Sequence, residues 1–223
     1  MSAVVVVPLA TDDEHRARAW TDVSGRLAAD GWPVLVGPNV SELWCKSLAV
    51  SAAIVPTTPE DVLVVHDADV LVDLSALRLA VAHVESGGAW AIPHREVYRL
   101  TERATARYYE TRDVPMTPEL TRWPYIGVEG GGVCVLRRST YDSIPIDPRF
   151  LGWGDEDHCW GWALRTLLGE PWRSPERLVH LWHPHSAPGK QRSPRLESET
   201  MRRRYRFAFD DPVRMRALVD EVA

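Results

Sequence analysis

The sequence predicts an α/β fold, a single domain with a mostly parallel central sheet flanked by helices. Three observations carry that expectation. Short β-branched runs alternate with longer stretches of helical periodicity through the first half of the chain. One apolar run, Asp61-Val-Leu-Val-Val-His-Asp-Ala-Asp69, leads straight into two carboxylates, as suits a strand that ends at the ligand-binding rim of an open sheet. The 223 residues, 45% of them hydrophobic, are enough to bury one good core.

Taken in order, Val4 to Val7 reads as a buried strand closed by Pro8, Asp12 to Asp30 as a helix, and Pro33 to Val36 as a second strand. Gly31 and Gly37 punctuate them. Trp44 to Val55 repeats apolar residues at helical spacing until Pro56 and Pro59 end it. After the strand that runs into Asp67 and Asp69, Leu74 to Ser86 suits a helix and Trp90 to Pro93 a strand. The polar, Arg- and Tyr-rich stretch from His94 to Trp123, with Pro115 and Pro118, predicts a short helix and a loop. Gly130-Gly131-Gly132 leads into a strand over Val133 to Leu136. Asp155 to Leu168 is a helix opened by acids, and Leu178 to Leu181 a short strand entering a histidine cluster. Ser186 to Pro194 is expected to be a mobile lid, and Glu197 to Val222 to form terminal helices.

Composition narrows the function classes. No apolar run approaches the roughly 20 residues of a membrane span, and no signal peptide is recognisable, so a cytoplasmic protein is expected. Cys45, Cys134 and Cys159 stand at no metal-ligand spacing and are expected as reduced thiols. Of 26 basic residues only Lys46 and Lys190 are lysines, a bias that suggests a bacterial or phage genome. The net charge of −5 hides a basic segment, Lys190 to Arg206, with seven basic residues against Glu197 and Glu199. Its Arg202 to Arg206 run is either a solvated helix face or a patch for phosphates.

Three constellations carry chemistry. Asp67 and Asp69, one residue apart at a strand end, can both approach a hard cation such as Mg²⁺ or Mn²⁺, though the same pair also suits a turn or a helix cap. In Phe150-Leu-Gly-Trp-Gly-Asp-Glu-Asp157, Gly152 and Gly154 allow a sharp turn around Trp153, and three acids then crowd one helix start. One acid there stabilises the helix dipole by about 1 kcal/mol or less. Three exceed what capping needs, and the dipole favours the ionised form that a general base requires. In His180-Leu-Trp-His183-Pro-His185 three imidazoles fall within six residues, and imidazole suits Mn²⁺, Zn²⁺ or Fe²⁺ better than Ca²⁺, with Mn²⁺ preferred if one of them joins the Asp pair.

In this order the motifs resemble GT-A glycosyltransferases, specifically the galactosyltransferase and chondroitin-polymerase-like group (family 2 / family 7 type). The resemblance covers roughly Val4 to His185. It implies a single GT-A (Rossmann-like) domain with a nucleotide-sugar-binding half over 1–93, an acceptor and catalytic half over 94–185, and a loop with C-terminal helices over 186–223. It implies that Asp69 binds metal, with Asp67 supporting the metal or the donor ribose. It puts the metal-binding histidine at His183, with His180 and His185 as alternatives. Asp157 falls on the catalytic base and Glu156 on the acceptor-binding acid. Trp153 falls on a tryptophan that closes over the donor and also meets the acceptor. Pro8 is implied as a donor contact, and Trp44-Cys45-Lys46 stands where the group has a Phe-Asn-Arg segment against the nucleotide. Asp155 replaces a frequent Gly and His158 a frequent acid, which implies an altered acceptor side.

The resemblance thus implies an inverting, Mn²⁺- or Mg²⁺-dependent transfer of a hexose-type sugar from a nucleotide-sugar, most naturally a UDP-sugar. The acceptor stays open among a glycan, a protein and a hydroxymethylated base of phage DNA. Two other classes compete. A metal-dependent phosphohydrolase could use the same aspartates and histidines, and a non-catalytic carbohydrate-binding protein could use the ten tryptophans.

Overall fold

The structure, a computed structural model, describes residues 3–10, 13–184 and 195–223. The first half runs β1 (Ala3–Leu9), α1 (Glu14–Ala29), β2 (Val34–Pro38), α2 (Lys46–Ala53), β3 (Val62–His66), β4 (Val70–Leu71), α3 (Leu74–Glu85) and β5 (Trp90–Ile92). The second runs β6 (Glu96–Arg99), α4 (Glu102–Thr111), β7 (Tyr125–Ile126), β8 (Val133–Arg137), α5 (Arg138–Ser143), α6 (Glu156–Leu168), β9 (Trp172–Arg173), β10 (Arg177–His180), α7 (Arg195–Ala208) and α8 (Pro212–Val219).

The central sheet has the order β2-β1-β3-β8-β5-β9. Its pairings are parallel except those of β8, which lies antiparallel between β3 and β5, so the sheet is mostly parallel as expected. Strict alternation explains its continuous apolar runs. Val4, Val6, Leu63, Val65, Cys134 and Leu136 face one hydrophobic cluster, which is completed by α6, α7 and α8. Val5, Val7, Val62, Val64, Val133 and Val135 face the other, which is covered by α1 and α3. Both faces are buried, and strands in that setting lose the polar half of their pattern.

A second sheet, order β4-β10-β6-β7, was not expected from the sequence. Three of its strands are short or polar, and its central pairing joins Val97 to Leu178, so local pattern gives no sign of it. β9 and the short helix α5 were likewise not anticipated. The helix starts follow local chemistry. Asp13, Asp73, Thr101 and Asp211 each accept a hydrogen bond from the backbone N–H three residues on. The terminal helical stretch divides at Asp210, which takes φ 63°, with Pro212 opening α8.

Among the described residues no helix is long and apolar enough to cross a membrane. The three cysteines are free and buried. His185 and the expected lid Ser186 to Pro194 lie outside the described residues.

Candidate active site

The site lies where the two sheets meet, beyond the end of β3. A turn carries the chain through Asp67 and Asp69 into β4, and β10 pairs antiparallel with β4 so that His180 lies opposite Val70. The Leu181 N–H donates to the Asp69 carbonyl oxygen at 2.9 Å, which locks this register beside the acid. Nε2 of His183 is 3.1 Å from Oδ2 of Asp69, and Nε2 of His180 is 3.9 Å from Oδ1. One ligand atom from each of Asp69, His180 and His183 lies within 4.8 Å of the other two.

The protonation states suit a cation. Burial pushes His180 down to about 4, which keeps its imidazole neutral at physiological pH. Burial also works against the Asp69 carboxylate, but the two imidazoles and Arg16 outweigh it and hold the group well below the usual carboxylate range. Nδ1 of His183 lies 3.0 Å from the Pro184 carbonyl oxygen and 3.4 Å from Nη2 of Arg16. With its proton on Nδ1, donated to Pro184, the ring leaves Nε2 free to ligate, a familiar outer arrangement for metal-binding histidine. One carboxylate oxygen and two imidazole nitrogens form a donor set that fits Mn²⁺.

Asp67 is engaged differently. Its Oδ2 accepts from the Gly132 N–H at 2.9 Å, and its Oδ1 accepts from Nζ of Lys46 at 2.8 Å. The same Nζ donates to Oδ1 of Asp157 at 2.7 Å. Lys46 is only 5% exposed. Burial opposes its charge, yet Asp157 and Asp67 hold its pKa well above the ordinary lysine value. Burial pushes the Asp157 carboxyl up and Lys46 pulls against it. For Glu156, burial followed by the nearby Asp157 charge raises the carboxyl to about 8. The helix-dipole effect expected from the sequence is therefore overridden by desolvation at both acids. Glu156 also accepts the Gly154 N–H at 2.9 Å and so ties the preceding loop to the helix.

That loop is shaped by its glycines and by an unusual cap. Asp155 takes φ 69° and caps α6 without a side-chain hydrogen bond. The Gly152 N–H donates to the Trp44 carbonyl oxygen at 2.7 Å. Trp153 then stacks on Trp44, with ring centroids 4.8 Å apart, and the Arg16 guanidinium lies 3.9 Å from the centre of its ring. Across the cleft, Gly130 packs so tightly on α6 that a Cβ there would sit 2.3 Å from the Asp157 carbonyl oxygen. Only glycine permits this approach, and it presses the Gly130-Gly131-Gly132 turn against the base of the site.

Pro8, Lys46, Asp67, Asp69, Trp153, Glu156, Asp157, His180 and His183 all line one cleft of about 600 Å³. Four further lining residues, Arg16, Arg99, Arg122 and Tyr125, were not singled out from the sequence. Arg16 reads only as a helix-start residue three positions after a capping Asp, and His183, which it meets in the cleft, is 167 residues away. Arg99 and Tyr125 belong to the unexpected second sheet. A separate cleft of about 1030 Å³ lies around Arg18, Asp22 and Tyr108. Asp69, His180 and His183 are not part of its lining.

No family model and no curated protein sequence matches the chain. Solved structures do match it. The catalytic domain of Drosophila β-1,4-galactosyltransferase 7 in complex with xylobiose aligns over 91% of this chain and 79% of its own, at TM-score 0.53 and 14% identity. A mutant of the Drosophila β-1,4-galactosyltransferase 7, in complex with manganese, UDP-Gal and xylobiose, aligns over 87% and 75%, at TM-score 0.51 and 12% identity. What is shared at this level of identity is the fold: the chain has the GT-A fold of these glycosyltransferases.

Proposed function

We propose that the chain is a metal-dependent, inverting glycosyltransferase that moves a hexose-type sugar from a UDP-sugar to an acceptor hydroxyl. The observation that carries this reading is the meeting, in one cleft, of the Asp69–His180–His183 donor set with the Lys46–Asp157 pair. A galactosyltransferase of the same fold was solved with manganese and UDP-Gal, which supports the choice of metal and donor. Two imidazoles favour Mn²⁺ over Mg²⁺. The three buried, unpaired thiols suit a reducing, cytoplasmic setting.

When bound, the cation supplies Lewis-acid stabilisation of charge on a departing diphosphate. Asp69, His180 and His183 are the residues that would hold it. Asp157 takes the proton from the acceptor hydroxyl, and Lys46 keeps that carboxylate ionised and fixed in place. Glu156, protonated at neutral pH, donates a hydrogen bond to the acceptor. Trp153, held between Trp44 and Arg16, covers the cleft and limits hydrolysis of the donor. Pro8 and Lys46 belong to the half over 1–93 that receives the nucleotide, and Glu156 and Asp157 to the half over 94–185 that receives the acceptor.

A mass-spectrometric screen of nucleotide-sugars with Mn²⁺ tests the reading. Metal-dependent release of UDP is expected, with the sugar found on water or on an added acceptor. Release of inorganic phosphate without an acceptor would favour a phosphohydrolase, and binding of donors with no turnover would favour a carbohydrate-binding protein.

A further inference from the structure

The cleft holds two cations that the proposed transfer leaves without a role, Arg99 and Arg122. Its other cations are already matched. Lys46 is neutralised by Asp67 and Asp157, and Nε of Arg16 lies 3.2 Å from Asp13 beside the Asp69 carboxylate. Arg99 and Arg122 pair with no carboxylate among the described residues. Nε of Arg99 donates to the Tyr125 hydroxyl at 2.8 Å, and its Nη1 lies 3.0 Å from Nε2 of His180. The guanidinium of Arg122 lies 3.9 Å from the centre of the same Tyr125 ring. Tyr125 thus holds one arginine by its hydroxyl and the other by its face, and both line the cleft. Two guanidiniums fixed by neutral groups in one cleft leave charge and donors directed at something anionic.

Strand order indicates which substrate carries that anion. From the metal-site acid outward the second sheet runs β4, β10, β6, β7, with His180 paired to Arg99 and Val97 paired to Tyr125. Arg99 and Tyr125 therefore lie on the strands beyond His180 in the second sheet, whereas Pro8 and Lys46 reach the cleft from β1 of the central sheet and from α2.

We infer that Arg99 and Arg122, braced by Tyr125, form an anion subsite for the acceptor, so that the sugar is transferred to a hydroxyl compound bearing a carboxylate or phosphate. This rests on the transferase reading for the word acceptor; the anion preference itself does not.

Calorimetric titration in the presence of UDP and Mn²⁺ tests it with two matched pairs of probes, methyl glucuronide against methyl glucoside and glycerol phosphate against glycerol. In at least one pair the anionic member should bind about tenfold or more tightly than its neutral partner, the worth of a charged hydrogen bond. The preference should disappear in the double variant Arg99→Gln, Arg122→Ala, and fall by part of that amount in Arg122→Ala alone, which leaves His180 untouched. Equal affinity within both pairs, or a preference that survives the double variant, overturns the proposal. So does a double variant that weakens UDP binding while keeping the anion preference, since that would assign the arginines to the donor. If UDP and Mn²⁺ do not bind the wild-type protein but the anionic probes do, the transferase reading fails and the anion subsite stands.

Discussion

Nζ of Lys46 lies 2.7 Å from Oδ1 of Asp157, so a buried ammonium fixes the proposed base while also holding Asp67 at 2.8 Å. Under the proposed function Lys46 is therefore a positioning residue as well as a donor contact. Lys46→Met should lower transfer by about 100-fold or more, the scale of general-base catalysis. The sign of the pH effect follows from the charge. Burial raises Asp157 and Lys46 lowers it, so removing Lys46 should move the acid limb of the kcat/KM profile to higher pH. An acid limb that stays in place would detach Lys46 from the base.

Asp69, His180 and His183 should act as one metal site. Titration with Mn²⁺ should show one site in the wild-type protein, no heat in Asp69→Ala, and strongly weakened binding in His183→Ala. Mg²⁺ should bind less well than Mn²⁺, because two of the three donors are imidazole nitrogens. An unchanged Mn²⁺ isotherm in Asp69→Ala would remove the triad from consideration.

Glu156 carries a stability effect with a definite direction. Its folded pKa of about 8 lies above the ordinary 4.5, so its favourable contribution is complete below about 4.5 and is lost as pH rises through 8. Glu156→Gln imitates the protonated side chain. Urea midpoints of the variant should match wild type near pH 5 and exceed it at pH 9. Parallel curves across that range would contradict burial of a protonated acid.

His94 gives the opposite slope. It is 0% exposed, neither ring nitrogen has a hydrogen-bond partner among the described residues, and burial lowers its pKa to about 3 from an ordinary 6.5. Between those values the unfolded chain takes a proton that the folded chain refuses, so stability falls as pH drops below about 6.5. His94→Leu should flatten that acid limb, leaving the part that His66 and His180 contribute by the same mechanism. Urea unfolding between pH 4 and 7 measures it, and an unaltered slope would exclude His94 as a source.

The central sheet, β9 excepted, was legible because its strands are local and their signals redundant. Val4 to Val7 and the run into Asp67 are apolar on both faces, and Gly31, Pro56 and Pro59 mark the breaks between elements. The second sheet was not legible. Glu96 to Arg99 begins and ends on a charged residue and fully buries only Val97, and its partner Arg177 to His180 is about 80 residues away, so only three-dimensional pairing reveals it. The same distinction applies at the site. Asp67, Asp69, Trp153, Glu156, Asp157 and the histidines sit in short, dense motifs and could be singled out by residue type. The Lys46–Asp157 bridge joins elements 111 residues apart, and nothing in either segment announces the other. The protonation of Glu156 depends on burial, which the acidic run itself does not encode.

The role of Asp157 is tested most sharply by transfer in Asp157→Asn, measured with a donor and acceptor that the wild-type protein uses. Asn keeps the shape of the side chain and its reach to Lys46 but removes the carboxylate that takes the proton. UDP and Mn²⁺ should bind as in wild type while transfer falls to background. Transfer that continues at the wild-type rate would contradict the assignment of Asp157 as the base.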